Sequence, residues 1–429
     1  MRVPVSAERL AFPRFDRMAP RVVILSGNNL CHNPRVVKEA DALDSAGFSV
    51  SVLGAWIERN LAERDRSLMA DRSWRYIPVV DLTANSLSTK ARHQQLRVRA
   101  KAGRMLGRWL HFENRWQLGY CGPELLQFAR RQSAGLFIAH SEQALWAVDQ
   151  LRRNGARVGV DMEDWFSEDL LPEARQGRPL RLLRMLESEL LSMGTHCTTT
   201  SKVMSNALAD QFGCRPPIAV YNAFPWSDRS RLDPMKKDRR DPAVPSLHWY
   251  SQTIGPGRGL EELIAALPLL RTKCEIHLRG RMAGGNSWLD SSIPAEWRAR
   301  VFFHDLVSND ELLSRIAEHD IGFAGEQQYC RSRDLTVTNK ILQYMLAGLA
   351  VVASDTAGQR EVASLSPGAV ALYRVGDVAD LAKQLDGLLG DRQRLAKAKA
   401  AALCGAETTF CWERIAPILV RSVGASLAR

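Results

Sequence analysis

The chain has 429 residues, and at roughly 150 residues per domain this length accommodates two or three domains and excludes a single small fold. Apolar residues at 45% and charged residues at 24% match an ordinary globular protein and exclude disorder and fibrous repeats. Lys plus Arg outnumber Asp plus Glu by 58 to 47, a formal net charge of +11, which suits an anionic partner: a nucleotide, a phospholipid surface or a nucleic acid.

The opening segment mixes Arg9, Arg14, Asp16 and Arg17 with Pro13 and offers no apolar run of signal-peptide type, and no stretch reaches the ~20 apolar residues of a membrane span. A cytoplasmic protein is expected, with any membrane contact peripheral, at the inner face of the plasma membrane. Eight cysteines without a C-x-x-C pair read as reduced, mostly buried thiols.

Val22 to Ser26 is a β-branched run that predicts a buried strand, ending at Gly27-Asn28-Asn29. Asn33 suits an N-cap, Pro34 the first helical position, and Gly47 the helix end; Phe48 to Leu53 is the next strand. Strand, helix and strand within about thirty residues make a βαβ unit and imply a parallel sheet covered by helices. Leu136–Ala139 and Val158–Val160 read as further strands around a helix from Gln143 to Arg152, and Ile218 to Tyr221 as another. The spacing from Arg181 to Leu191 predicts a helix with Leu182, Met185, Leu186 and Leu190 on its apolar side and Arg184, Glu187 and Ser188 opposite. From Ser227 to Pro245 the composition turns to Arg, Lys, Asp and Pro, which predicts an exposed connection between domains. A second α/β series follows: strands near Leu247, Glu275, Val301, Asp320 and Ala350, with a helix from Leu260 to Leu270. Two doubly wound domains facing each other place a ligand cleft at the carboxyl ends of their sheets.

Five groups could carry chemistry. The loop Gly27 to Arg35 offers backbone N–H groups where a strand meets a helix, a setting that favours anions, although an ordinary turn fits equally. It lacks the full G-x-G-x-x-G pattern, which disfavours a nicotinamide enzyme. Gly255-Pro256-Gly257-Arg258-Gly259 lets backbone approach a phosphate that Arg258 can neutralise; a structural turn with a solvated Arg is the alternative. Thr336-Val337-Thr338-Asn339-Lys340 opens a helix that closes at Gly348 and is either capping chemistry or an anion site beside a Lys. His140 ends one strand and Asp161-Met162-Glu163-Asp164 the next, where parallel-sheet enzymes place functional groups, though a lone His there is often structural. Finally, Lys90 to Arg115 carries Lys90, Arg92, Arg97, Arg99, Lys101, Arg104, Arg108 and Arg115 against Glu113 alone, interleaved with Leu96, Val98, Met105, Leu106, Trp109 and Leu110. A helix here is amphipathic with a cationic side, suited to an anionic membrane or a lipid-phosphate acceptor, or simply a solvated face. No recognition-module pattern supports nucleic acid.

The order of these pieces resembles the retaining glycosyltransferases of the GT-B fold, specifically the family 4 group, from about Arg21 to Trp412. The segments that carry it are His32-Asn33-Pro34-Arg35-Val36-Val37-Lys38-Glu39-Ala40, Ala139-His140, Thr200-Ser201 and Val220-Tyr221-Asn222-Ala223. They continue with Gly257-Arg258-Gly259-Leu260-Glu261, the stretch from Asn339 to Gly348, and Asp355-Thr356-Ala357-Gly358. The resemblance implies an N-terminal tail (1–19), an acceptor-side Rossmann-like domain (20–222), a nucleotide-sugar domain (223–400), and a terminal helix (401–429) crossing back to the first domain. It implies transfer of a sugar with retention from a UDP-, GDP- or ADP-sugar to a glycan, lipid-linked or small-molecule acceptor, in bacterial surface polysaccharide or glycoconjugate synthesis. Arg258 matches the residue that contacts the donor diphosphate, His140 the histidine that reaches the donor sugar, and Gly27, with Asn28 beside it, the loop glycine next to the phosphates. Glu163 and Asp164 take acceptor-side or catalytic roles, and Arg35, Arg97, Arg99, Lys101 and Arg104 meet the acceptor or a membrane. Gln252, Gly257, Thr338, Asn339, Lys340 and Gln343 complete the donor set.

The chain departs from the family at three points, one of them being the Asp-x-His-Glu string of many relatives, which is Asp161-Met162-Glu163-Asp164 here. Paired glutamates seven residues apart are replaced by Leu335 and Gln343, with Asp334 or Glu326 as the substitute. Gln252 stands where relatives carry a second basic residue, which leaves phosphate binding to Arg258, Lys340 and backbone amides. No Asp-x-Asp string appears, and no essential metal or other cofactor is expected. Two other readings use the same fold: a nucleotide-sugar epimerase, which needs acid/base carboxylates around the sugar, and a catalytically silent binding or scaffold protein.

Overall fold

The structure, a computed structural model, describes residues 19–235, 237–282 and 291–428; the N-terminal tail expected from the sequence lies outside them, except Ala19. Among the described residues thirteen strands form two sheets. The first contains β1 (Arg21–Leu25), β2 (Ser49–Trp56), β3 (Arg75–Asp81), β4 (Leu136–Ala139), β5 (Val158–Met162), β6 (His196–Thr199) and β7 (Ile218–Ala219), in the order β3-β2-β1-β4-β5-β6-β7. The second contains β8 (Ser246–Ile254), β9 (Glu275–Met282), β10 (Val301–His304), β11 (Ile321–Ala324), β12 (Ala350–Ser354) and β13 (Val370–Tyr373), in the order β10-β9-β8-β11-β12-β13. β1 pairs in parallel with β2 and β4, with Ile24 opposite Val52 and Ile138, and β11 pairs in parallel with β8 and β12. The strand order reverses at β1/β4 and again at β8/β11. In a doubly wound sheet such reversals open a crevice beyond the strands' carboxyl ends.

The described residues divide into two compact units, one within 1–161, 177–197 and 419–429 and the other within 162–176 and 198–418. Each has its own apolar core. In the first, Val22, Ile24, Val50, Val52, Leu136 and Ile138 pack with Val36, Ala40 and Leu43 of the helix Pro34–Ser45, and with Val420 and Val423 of the last helix, Trp412–Ala428. In the second, Leu247, Trp249, Ile276, Leu278, Phe323 and Val352 are covered by Leu260, Leu263, Leu381 and Leu385.

Local signals explain these elements. Asn33 caps the helix Pro34–Ser45 by accepting from Val36 N at 3.1 Å, and Gly47 takes the left-handed conformation just beyond its end. Gly348 closes the helix Asn339–Ala347 in the same way, with φ +82°.

Two readings of the sequence are corrected here. The helix Leu180–Met193 buries Leu183, Leu186, Glu187, Leu190 and Leu191, a regular i, i+3, i+4, i+7, i+8 stripe, and leaves Met185 exposed. The described residues between Ser227 and Pro245 are exposed along much of their length, as expected, but they are not a loose connection. Asp233 faces the buried Arg315 at 3.2 Å, Asp238 pairs with the buried Arg279, and Arg239 pairs with Asp320 at 2.9 Å, so their charges strap them to the second unit. The eight cysteines are unpaired, with four buried and Cys404 exposed.

Candidate functional site

In the second unit, the loops after β8 and β11 and the start of the helix Asn339–Ala347 enclose a cavity of about 790 Å³, a size typical of small-molecule sites. Its lining brings together Gln252, Gly257, Arg258, Glu326, Thr338, Asn339 and Lys340, seven of the residues expected to hold a donor. Gly257 and Gly259 adopt φ +75° and +78°, the left-handed region in which a side chain is strained. A Cβ at Gly259 would collide with the carbonyl of Gly325, so glycine is required for the β8 loop to approach the β11 loop. Gly257 N donates to Glu261 at 2.6 Å, and the Arg258 guanidinium donates to Ser251 Oγ at 2.8 Å, which fixes the arginine at the mouth.

Across the cavity Lys340 Nζ sits 2.6 Å from Glu326 Oε1, and both side chains are largely enclosed. Burial works against the Glu326 charge, but Lys340, with Arg333 and Arg258, holds its carboxyl below the usual range. Arg333 also lines the cavity. Burial disfavours its charge, and Asp164, Asp169 and Glu326 more than restore it. Thr338 Oγ1 is buried without a hydrogen-bond partner. With Arg258, Arg279, Arg333 and Lys340 against Glu326 as the sole carboxylate among the described lining residues, the wall is cationic; Arg279 is taken up elsewhere by Asp238 and the Asp305 carbonyl, and Arg333 is also 3.7 Å from Asp169 behind the wall.

The segment 162–176 is held to this unit: Trp165 N donates to Ser332 Oγ at 3.0 Å, and the Arg331 guanidinium lies 4.4 Å from the Trp165 ring centroid. It delivers Leu170, Leu171 and Ala174 to the cavity, with Leu170 at φ +71°, a conformation that a branched side chain rarely adopts. Sequence reasoning missed Arg333, Tyr329 and this apolar edge. The signal available was the cluster Tyr329 to Asp334 directly after a predicted strand.

Two expected donor residues lie elsewhere. Asp334 accepts from Gln328 Nε2 at 2.7 Å and from Ala357 N at 3.1 Å, so it braces the helix Ala357–Leu365 instead of lining the cavity. Gln343 sits behind the wall, where its Oε1 accepts from the hydroxyl of the lining Tyr250 at 2.6 Å. Of the two substitutes for the missing glutamates, Glu326 is the one in the cavity. Glu163 and Asp164 belong to this unit; the Glu163 carbonyl accepts from Thr200 Oγ1 at 3.3 Å, and Asp164 acts on Arg333.

The first unit is completed differently. Gly27, at φ +72°, is buried, and its carbonyl accepts from Gln143 Nε2 at 2.9 Å, while Asn28 is exposed. Two of the loop's amides are already engaged, because Asp65 accepts from Leu30 N at 3.0 Å and Cys31 N at 2.7 Å, and also from Asn29 Nδ2 at 3.0 Å. His140 is wholly enclosed, with Nε2 2.6 Å from Glu39 and Nδ1 3.3 Å from Asp161. Burial opposes its charge, but the two carboxylates prevail and hold its pKa above the ordinary value. Its ring therefore faces carboxylates on both nitrogens. Arg35 grips Asp161 through Nε at 2.5 Å and Nη2 at 2.9 Å with only 4% of its side chain exposed, so the expectation that it meets an acceptor or a membrane is corrected. Glu39, His140 and Asp161 could together ligate a metal, yet the guanidinium already engages both Asp161 oxygens. Arg99 is likewise turned inward onto Glu124, at 2.9 Å, and the Tyr120 carbonyl, whereas Arg97, Lys101 and Arg104 are exposed.

Residues 249–391, which hold most of the cavity lining, match the family model described as glycosyl transferases group 1. No curated protein matches the chain. Among solved structures, a sucrose-phosphate synthase from Thermosynechococcus elongatus is similar with a TM-score of 0.68 at 14% identity, over 95% of this chain and 99% of that one. HepE of Anabaena in complex with UDP-glucose is similar with a TM-score of 0.64 at 16% identity, over 94% and 99%. A Listeria monocytogenes protein described as a UDP-N-acetylglucosamine 2-epimerase is similar with a TM-score of 0.55 at 11% identity, over 96% and 97%. The fold is GT-B, with two Rossmann-like sheets, and the family match supports glycosyltransferase activity.

Proposed function

We propose that this chain is a retaining glycosyltransferase of the family 4 type that binds a nucleotide-sugar in the cavity of its second unit. The glycosyl group passes to a glycan, lipid-linked or small-molecule acceptor in bacterial surface polysaccharide or glycoconjugate synthesis. The observation that carries the reading is the cationic lining, Arg258, Arg333 and Lys340 around Glu326, inside the region that matches the glycosyltransferase model. As the bond from the sugar to the diphosphate breaks, negative charge grows on the leaving phosphate. Fixed cations and the Asn339 end of the helix Asn339–Ala347 stabilise that charge without moving. Arg333 supplies the second cation that Gln252 does not. Glu326, kept ionised by Lys340, can accept hydrogen bonds from sugar hydroxyls. UDP-sugars stand first among donors, because HepE, of the same fold, is complexed with UDP-glucose.

An epimerase shares the fold, but its chemistry needs an acid/base set about the sugar, and the described cavity lining holds one carboxylate, already paired. Calorimetric titration of the purified protein with UDP, GDP, ADP and their glucose conjugates tests the reading. Saturable binding of one nucleotide, followed by NMR assignment of a product with the donor's anomeric configuration, supports it. Absence of nucleotide binding, or donor isomerised without an acceptor, refutes it.

A further inference from the structure

The helix Leu87–Leu110 carries seven Lys and Arg residues and no Asp or Glu. Leu96, Ala100 and Gly103 face inward, and Gly103 lies against Trp116 and Asn114. Arg92 and Arg99, on one flank, both pair with Glu124, at 2.7 and 2.9 Å. The side away from the buried residues is apolar. Leu87 is 85% exposed, Val98 55%, Met105 51% and Trp109 74%, and at 100° per residue these four positions fall within a sector of about 40°. Phe112, 63% exposed, follows just past the helix end. Beside this stripe runs a second, Lys90, Arg97, Lys101, Arg104 and Arg108, on the flank opposite the Glu124 pairs. A solvated face would mix charges of both signs and carry few large apolar groups. A surface for a protein core would be short of unpaired cations. Aligned apolar and cationic stripes on one helix match the two layers of a bilayer interface, acyl boundary and anionic headgroups.

We propose that this helix is an interfacial docking helix that lays Val98, Met105 and Trp109 into an anionic phospholipid surface while Arg97, Lys101, Arg104 and Arg108 bind headgroup phosphates. No helix among the described residues is long and apolar enough to cross a membrane, and this mode requires none. The inference goes beyond glycosyl transfer and is independent of it, since nucleotide binding is measured without lipid.

The test is flotation of the full chain with vesicles of phosphatidylcholine alone or mixed with phosphatidylglycerol, with folding of each variant checked by circular dichroism. The protein is expected to float with the mixed vesicles and to release as salt screens the headgroups. Each cation near the surface contributes about a fivefold change, so R97Q/K101Q/R104Q/R108Q should lower partitioning on the order of several hundredfold. M105S/W109S, with all charges kept, should lower it about tenfold or more, even at low salt. Absence of flotation with the mixed vesicles, or flotation unchanged by either variant, overturns the proposal. So does a self-associated species in ultracentrifugation that M105S/W109S disperses without any lipid binding, because the stripe would then be covered by a second copy.

Discussion

Lowering the pH from 7 to 5 should loosen the second unit selectively, because it holds three buried imidazoles and a half-buried fourth in one stack. His248 and His319 lie face to face at 4.8 Å, His319 and His277 at 4.4 Å, and His277 and His304 at 5.2 Å between ring centroids. Burial is the leading cause that pushes all four below the ordinary histidine value. Neighbouring rings add to it at His248, His277 and His319, and Arg279 adds at His248, His277 and His304; Asp238, 3.4 Å from His304, opposes it there. His277 falls to about 3. A depressed folded value means that the unfolded chain binds more protons, so stability is full above the unfolded value of about 6.5 and is lost as the pH falls below it. For His277 alone the loss between pH 7 and pH 5 is about 2 kcal/mol, a large part of the margin of an ordinary domain, and the other three act in the same direction. In the first unit His140 is shifted up and His196 down, so their effects oppose each other. Amide hydrogen exchange corrected for intrinsic rates reads both units at once. Protection of β8 to β10 should fall roughly thirtyfold or more relative to β1 and β2. Equal changes in the two sheets would refute the assignment of the acid sensitivity to the imidazole stack.

Arg258→Ala should weaken UDP binding by about 1.5–3 kcal/mol, the range for a hydrogen bond to a charged group, and an unchanged calorimetric affinity would remove this residue from the phosphate site. Glu326→Gln releases Lys340 from its ion pair, so UDP should bind more tightly while transfer slows; a parallel loss of both would instead mark Glu326 as a structural brace. Gly259→Ala places a side chain at φ +78° against the Gly325 carbonyl and should cost about 1–3 kcal/mol in urea unfolding, with weaker nucleotide binding. Burial and Asp65 push the Cys31 thiol up to about 11, so Asp65→Asn should speed its alkylation, followed by peptide mass spectrometry at pH 8.

The strands and helix caps were legible because they rest on local chemistry. Val22 to Leu25 and Leu136 to Ala139 are apolar runs of buried parallel strands, and Asn33 and Gly348 sit where capping places them. Seven of the residues expected to hold a donor line one cavity, because three loops at the ends of strands converge there. What sequence does not display is the partner of a charge. Arg35 and Asp161 are 126 residues apart, and Asp65 reaches back to a loop more than thirty residues earlier, so an arginine that reads as a surface cation is internal and a loop that reads as an anion site is already occupied. The same blindness hid that the charged segment from Ser227 to Pro245, exposed along much of its length, is strapped down by acids that answer the buried Arg315 and Arg279.

The two sheets share one topology but are finished with opposite electrostatics. At the β1/β4 reversal the loop amides hold Asp65, and Arg35 and His140 are matched by Asp161 and Glu39, so that crevice is neutralised from within. At the β8/β11 reversal Arg258, Arg333 and Lys340 face one carboxylate across an open cavity, and Thr338 Oγ1 remains unsatisfied. Topology provides both crevices, and residual charge decides which one calls for an anion. A chain with Asp65 replaced and Arg258 and Arg333 neutralised would keep both sheets and lose that distinction. The location of the proposed diphosphate site therefore rests on these few side chains more than on the fold.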